Sequence, residues 1–333
     1  MSISFDNSKP RDVAAFGRAT VDLYVNEIGL LEEAKTFSKY VGGSPANTAV
    51  AMARLGMVTG YIGKVSSDPF GIFVKNYLSQ NGVDVSHIAT AEPGVRTGVT
   101  IGEIMPDKCN YYVYRNDCAD LHIKPEEMDE AYIAAHKMLL ISGTSLSHSP
   151  AREAVFTAIA MAKRNGTRVA FDLDYRDYTW NNRQEAAVYL TLAAEKADIV
   201  LGTRDEFDVM EALLHPSNRN DAQSAAWLLE KGVSLVSIKK GRLGSLIYSH
   251  QGVTAGGIYP AKVLKTFGAG DSYSSAFNWG LIHGKTLEES LRYAAAASAI
   301  TITGHSCSDA MPTLKQVEEY IASHEYVLSE ELK

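Results

Sequence analysis

The sequence predicts an α/β fold: a doubly wound, mostly parallel sheet flanked by helices, with a small β-sheet lid. Three observations carry this. Short β-branched or apolar runs alternate with helical patterns along most of the 333 residues. Those runs are continuously apolar, as in strands buried on both faces. Residues 21–41 and 98–114 instead alternate apolar and polar side chains without helical period, the pattern of a half-exposed sheet.

The elements follow in order. Residues 12–17 read as the first strand. A helix is expected over 45–55, with Ser44 as N-cap, Pro45 in the first turn and Gly56 just past the end. Residues 58–65 form a strand, and 70–80 a helix stopped by Asn81-Gly82. A buried strand over 138–143 precedes a helix opened by Ser149-Pro150 and closed by Asn165-Gly166. Strands 168–173 and 198–201 enclose a helix over 183–197; strands 235–239 and 245–248 and helices 272–283 and 287–301 complete the alternation. Segments 21–41 and 98–114 are expected to be antiparallel strands in a separate small sheet. Inserted near the ligand end of the main strands, that sheet is a lid; fixed edge hairpins are the other reading. No repeat or low-complexity linker divides the chain, so 1–333 reads as one domain.

Composition narrows function. With 39 acidic and 32 basic residues and no basic block, the chain offers no nucleic-acid or membrane surface, although a local basic pocket remains open to an anionic substrate. The polar residues 1–11 lack a signal-peptide core, and no apolar run reaches membrane-spanning length. Cys109, Cys118 and Cys307 form no CxxC pair, which points to a reduced, cytoplasmic protein without disulfides or structural zinc. His87, His136, His283 and His324 are far apart and read as surface or packing residues, and Trp180 as an anchor under a loop.

Two stretches carry chemistry. Gly268-Ala269-Gly270-Asp271 opens an apolar helix, and its uncovered N–H groups at a helix N-terminus suit an anion. A carboxylate there would repel a phosphate, but it suits a hydroxyl that attacks one. The other stretch is Gly42-Gly43-Ser44-Pro45-Ala46-Asn47, where glycines let the backbone approach a ligand and Asn47 offers a donor and an acceptor. By itself it reads as an ordinary connection, which is what a Gly-Gly turn before a helix usually is.

Together, in this order and at this separation, the stretches resemble the two signatures of the ribokinase (PfkB-type) family of sugar kinases, over nearly the whole chain. Gly17 followed by Asp22, Lys239-x-Gly241-x-x-Gly244 and the small-residue helix over 294–299 also fit. The resemblance implies a ribokinase-like fold and an ATP- and Mg2+-dependent enzyme. Asp271 would accept the proton of the attacking hydroxyl while Gly268, Ala269 and Gly270 stabilise the transferring phosphoryl group. Asp22, Gly43 and Asn47 would hold sugar hydroxyls, Lys239, Gly241 and Gly244 the nucleotide, and Glu206 magnesium through water. Family lids often pair between subunits, so a homodimer through the lid is an expected assembly.

Two positions depart from the family pattern. Thr203 stands where the family usually has Asn. Lys265 stands beside the anion hole where many members carry an Asp that helps bind a monovalent cation; its ammonium is expected to supply that charge itself, with an exposed loop lysine as the other reading. For the substrate, Tyr111-Tyr112-Val113-Tyr114-Arg115 and Asp172-Leu173-Asp174-Tyr175-Arg176 place two guanidiniums within expected reach. Arg115 and Arg176 fit a carboxylate, hence a sugar acid, unless they pair internally with Asp117, Asp172 or Asp174. The Gly17-Arg18 and Gly304-His305-Ser306-Cys307 stretches likewise resemble members acting on keto-deoxy sugar acids. A fructose-type kinase and a non-catalytic sugar-binding regulator of the same fold are the alternatives.

Overall fold

The computed structural model describes residues 3–27, 29–103 and 110–332. The N-terminal part contains β1 (Arg11–Phe16), β2 (Thr20–Val25), β3 (Phe37–Gly42), α1 (Ser44–Arg54), β4 (Thr59–Val65), α2 (Pro69–Gln80) and β5 (Asp84–Thr90). Then come β6 (Gly98–Gly102), β7 (Tyr111–Tyr114), α3 (Glu130–Ala134), β8 (His136–Ser142), α4 (Ala151–Arg164), β9 (Arg168–Asp172) and α5 (Arg183–Ala194). The rest is β10 (Ile199–Thr203), α6 (Arg204–Met210), α7 (Asp221–Glu230), β11 (Leu235–Lys239), β12 (Ser245–Ser249), β13 (Gly252–Gly256), α8 (Ala269–Ile282), α9 (Leu287–Thr301) and α10 (Leu314–Ser323).

Nine strands form the main sheet in the order β13-β12-β11-β10-β9-β8-β1-β4-β5, parallel except at the β11–β12 and β12–β13 pairs. Both faces are covered, which is why its strands are continuously apolar. On β8, Met138 and Leu140 join one core, while Leu139 and Ile141 join the other. α8 and α9 pack closely because Gly280 faces Ser290; a Cβ there would lie 2.4 Å from Ser290 Oγ. On the same helix pair the fully buried Phe277 contributes about 2–3 kcal/mol by leaving water.

At α2 the expected stop at Asn81-Gly82 is present, and the structure adds an N-cap that the sequence reading did not name. Asp68 caps it, accepting from the N–H groups of Phe70 (2.9 Å) and Gly71 (3.2 Å), and Gly82 beyond its end adopts a positive φ of 80°. Elements without an apolar run went unread. β5 and β13 are sheet edges, half open to water, and α10 buries only Val317 fully.

The small sheet is present, with strand order β3-β2-β6-β7, but it is mixed rather than antiparallel: β2 pairs with β6 in parallel. That geometry follows from connectivity, since β6 returns after α2 and β5 instead of through a hairpin. Residues 28 and 104–109 of the expected lid segments, including Cys109, lie outside the described residues. Cys118 and Cys307 are free thiols. Among the described residues no helix is long and apolar enough to cross a membrane, and no cluster of side chains is suited to hold a metal directly.

Candidate active site

Strand order reverses around β1: the chain first adds β4 and β5 on one side, then β8 to β13 on the other. Ligands of open α/β sheets bind at the carboxyl ends of the strands beside such a reversal. Here that edge gathers Gly17 and Arg18 after β1, Ser142 at the end of β8, Asp172 and Asp174 at and after β9, Thr203 ending β10 and Lys239 ending β11. The small sheet starts at Thr20, directly beyond β1, beside the same edge.

Two helix starts meet in the cleft. α8 begins at Ala269, three residues before the expected start, with Gly268 as N-cap in the left-handed region (φ 80°). The first-turn N–H groups have no acceptor within the helix. Asp271 belongs to this turn. Its Oδ1 accepts from Ser44 Oγ (2.7 Å) and its Oδ2 from Asn47 Nδ2 (2.9 Å), both on α1. Ser44 is therefore not the N-cap that its position suggests: Gly43 caps α1 (φ 92°), and the Ser44 hydroxyl is spent on Asp271. A Cβ at Gly43 would lie 2.5 Å from the Arg18 carbonyl oxygen, so glycine is what lets α1 reach the end of β1. Burial raises the proton affinity of Asp271, and the charge of Asp174 adds to this; Ser44, Asn47 and Arg176 act against it.

Asp22 reaches the cleft from the small sheet. It accepts from Thr20 Oγ1 (3.0 Å) and from the Tyr24 hydroxyl (2.9 Å), and burial raises its pKa against those bonds. Gly42 makes room: a Cβ there would fall 2.0 Å from Asp22 Oδ1. With its proton given to Asp22, the Tyr24 oxygen is left to accept from the Cys307 thiol at 3.1 Å. Burial pushes that thiol up to about 12, so it is not a reactive thiolate.

Behind the α8 turn lies a cluster of charges. Arg176 pairs with Asp174 (2.7 Å) and Glu206 (3.6 Å), and Lys239 with Asp172 (3.2 Å). Burial raises Asp172 to about 7 against the pull of Lys239; Asp174, also buried, is instead held below the usual range by Arg176 and Arg18. Thr203 takes up the helix-capping role at the family's Asn position: its N–H donates to Glu206 Oε2 (2.7 Å), and its Oγ1 accepts from the Glu206 N–H (3.4 Å). Gly241 and Gly244 form the tight turn between β11 and β12. Lys265 is buried, with its Nζ donating to the Phe267 carbonyl at 2.7 Å, so the reading as an exposed loop lysine is wrong.

Several of the expected residues thus converge, while Arg115, Gly241 and Gly244 are not among the cleft's lining residues. Asp22, Gly43, Asn47, Arg176, Gly268 and Asp271 line one cleft; Glu206 and Lys265 contact its lining residues Arg176 and Phe267, and Lys239 lies beside Gly270. Arg115 stays outside. Its Nε donates to Asp120 Oδ2 (2.9 Å) and its Nη2 to the Thr144 carbonyl (3.1 Å), and its buried side chain faces a different hollow. It follows the last residue of β7, so strand alternation no longer sets its direction. The sequence reading gave no site role to Ser44, Tyr178 or Arg18, which also line the cleft. Ser44, inside the Gly42–Asn47 stretch, and Arg18, beside a glycine at the end of the first strand, each carried a signal that could have found it.

Comparison with known proteins gives a consistent answer. The description "pfkB family carbohydrate kinase" matches residues 10–314. The chain is 50% identical over 325 residues to a 5-dehydro-2-deoxygluconokinase of Geobacillus kaustophilus, covering 97% of each. It is 47% identical over 324 residues to that of Bacillus subtilis, covering 96% of this chain and 99% of the relative. Among solved structures, an E. coli protein described as a ribokinase II, in complex with ATP and Mg2+, superposes with a TM-score of 0.86 at 25% identity, covering 94% of this chain and all of that one. A fructokinase with bound ATP from Xylella fastidiosa shares the fold, with a TM-score of 0.83 over 93% of this chain and 98% of its own.

Proposed function

The chain belongs to the pfkB family of carbohydrate kinases, and we propose that it transfers the γ-phosphoryl group of ATP to the 6-hydroxyl of 5-dehydro-2-deoxy-D-gluconate, a step of myo-inositol breakdown. The observation that carries the reading is Asp271, a buried carboxylate fixed by Ser44 and Asn47 in the first turn of a glycine-opened helix. Near-full-length relatives of that activity support the substrate.

In this mechanism the substrate's hydroxyl lies against Asp271. Burial strengthens the carboxylate as a base, and the bonds from Ser44 and Asn47 hold it still. As the hydroxyl oxygen attacks the γ-phosphorus, its proton passes to Asp271 and ADP departs. The N–H groups of Gly268, Ala269 and Gly270 meet the negative charge on the transferring group. Asp22, Gly43 and Asn47 hold the sugar; Lys239, Gly241 and Gly244 lie toward the nucleotide. Asp172, Asp174 and Glu206 already meet Lys239, Arg176 or a backbone N–H, a donor set suited to magnesium held through water, with Glu206 nearest that role. Bound there, the ion would neutralise phosphate charge. The small sheet acts as a lid, Tyr111 meeting Phe267 edge-on at 5.3 Å between centroids, and a homodimer pairs through it. The protein works in the cytoplasm.

A coupled assay of ADP release across 5-dehydro-2-deoxy-D-gluconate, 2-keto-3-deoxygluconate, fructose and ribose tests this. The first substrate should give the highest kcat/KM. Preference for the second would make the chain a 2-keto-3-deoxygluconate kinase, and preference for a neutral sugar would overturn the sugar-acid reading. Ligand binding with no sugar-dependent ADP release would leave a binding regulator.

A further inference from the structure

Removing Arg115 from the cleft leaves the substrate's carboxylate without its expected fork, and Arg176 already answers to two carboxylates. The remaining arginine on the cleft wall is Arg18. It is 6% exposed, forms no ion pair with a described carboxylate, and its Nε has no hydrogen-bond partner. The bond it does make is to the Tyr178 side chain. Desolvating a guanidinium costs several kcal/mol unless charge and hydrogen bonds return it. Here Asp174 answers the charge from beyond ion-pair distance and holds the guanidinium's pKa up, while the Nε hydrogen bond stays unmade within the protein.

The backbone holding Arg18 is fixed from both sides. Tyr61 donates its hydroxyl proton to the Gly17 carbonyl (2.6 Å), and the Arg18 carbonyl abuts Gly43. A Cβ at Gly17 would fall 2.3 Å from Ser145 Oγ, so this turn has little room to shift. A buried, partly unsatisfied guanidinium on a fixed turn, facing a cleft that holds a base at Asp271, is organised to take a planar anion in two parallel bonds. We propose that Arg18 is the receptor for the substrate's carboxylate and sets the preference for sugar acids over neutral sugars. This rests on the sugar-acid reading above. Arg176 then has a different task, holding Asp174 and Glu206 in place.

The test compares kcat/KM for 5-dehydro-2-deoxy-D-gluconate and for the same carbon chain bearing a primary amide in place of the carboxylate. Wild type, Arg18→Gln and Arg18→Lys are measured, with thermal melts to check folding. The wild-type preference for the acid should fall about 100-fold in R18Q, and about tenfold in R18K, which keeps the charge and loses the fork. Should R18Q fail to fold, R18K reads the same ratio. Equal losses on acid and amide in the variants would overturn the inference and leave Arg18 a structural residue. No preference in the wild type would overturn the sugar-acid reading itself, and the inference with it.

Discussion

Replacing Asp271 by Asn removes the base while leaving its surroundings nearly unchanged, and the hydrogen bonds explain why. Ser44 can still donate to the remaining oxygen. Asn47 now donates to Oδ2 and has a buried Oδ1 without a partner. If its amide turns over, that oxygen accepts from the new NH2 group and the donor count balances. The substitution also removes a buried charge, so the melting temperature should hold or rise. Chemistry should suffer, because an amide cannot accept the hydroxyl proton. A positioned general base is worth about 10²–10⁴ in rate, or about 3–5 kcal/mol of barrier, and D271N should lose kcat by that factor with substrate affinity largely kept. Coupled ADP release gives kcat, and calorimetric titration gives affinity. The wild-type acid limb of kcat/KM should lie above the usual aspartate range, since burial raises this group, and it should vanish with the carboxylate. A D271N enzyme keeping more than about a tenth of wild-type kcat would refute the assignment of Asp271 as the base.

Three further outcomes follow from other parts of the site and core. Because the ammonium of Lys265 is buried beside the anion turn, exchanging potassium for sodium at fixed ionic strength should change kcat by less than about twofold, and strong potassium stimulation would defeat this reading. Gly42→Ala drives a methyl into the Asp22 carboxylate, at 2.0 Å from Oδ1 before relaxation; steady-state kinetics should show KM raised about tenfold or more, and an unchanged KM would remove Asp22 from sugar binding. His136 is fully buried, its Nδ1 bonded to the Tyr132 carbonyl (2.7 Å) and its Nε2 bare, and burial lowers its pKa to about 4. Between about pH 6.5 and 4 the unfolded chain therefore binds the extra proton, and acidification should cost about 3 kcal/mol of stability. Urea midpoints should show this loss in wild type and its absence in H136Q; equal losses in both would place the titration elsewhere.

The sequence was most legible where local chemistry decides. Continuous apolar runs located the central strands, Asn81-Gly82 marked the end of α2, and Gly268–Asp271 announced a helix within three residues of its observed start. It was less legible where a residue's role depends on an element far along the chain. Ser44 sits one residue before a proline in a first turn, the ordinary place for a cap. Only the approach of α8, more than two hundred residues on, turns its hydroxyl to Asp271. Thr203 reads as a missing Asn until the capping bond with Glu206 is seen. The mixed register of the small sheet was hidden because alternation fixes which face a residue occupies and says nothing about strand direction.

The arginines show the same limit in terms of charge. A sequence supplies cations near a site, whereas recognition of an anion depends on the cations left after the protein's own carboxylates are subtracted. Arg115 is cancelled by Asp120, five residues on, and Arg176 by Asp174 and by Glu206 from another strand end. Neither subtraction can be made without the fold. Arg18 survives it as a side chain without an ion-pair contact: β1 ends there, Asp174 acts on it only from beyond ion-pair distance while pairing directly with Arg176, and burial disfavours the charge of the nearby Asp22. A cleft that keeps one unsatisfied guanidinium beside one strengthened base has a polarity, with an anion at one end of the substrate and a reacting hydroxyl at the other. A neutral sugar would leave the first end unanswered. The two ends can be separated by experiment: D271N should abolish turnover on acid and amide alike, whereas R18Q should act on the ratio between them.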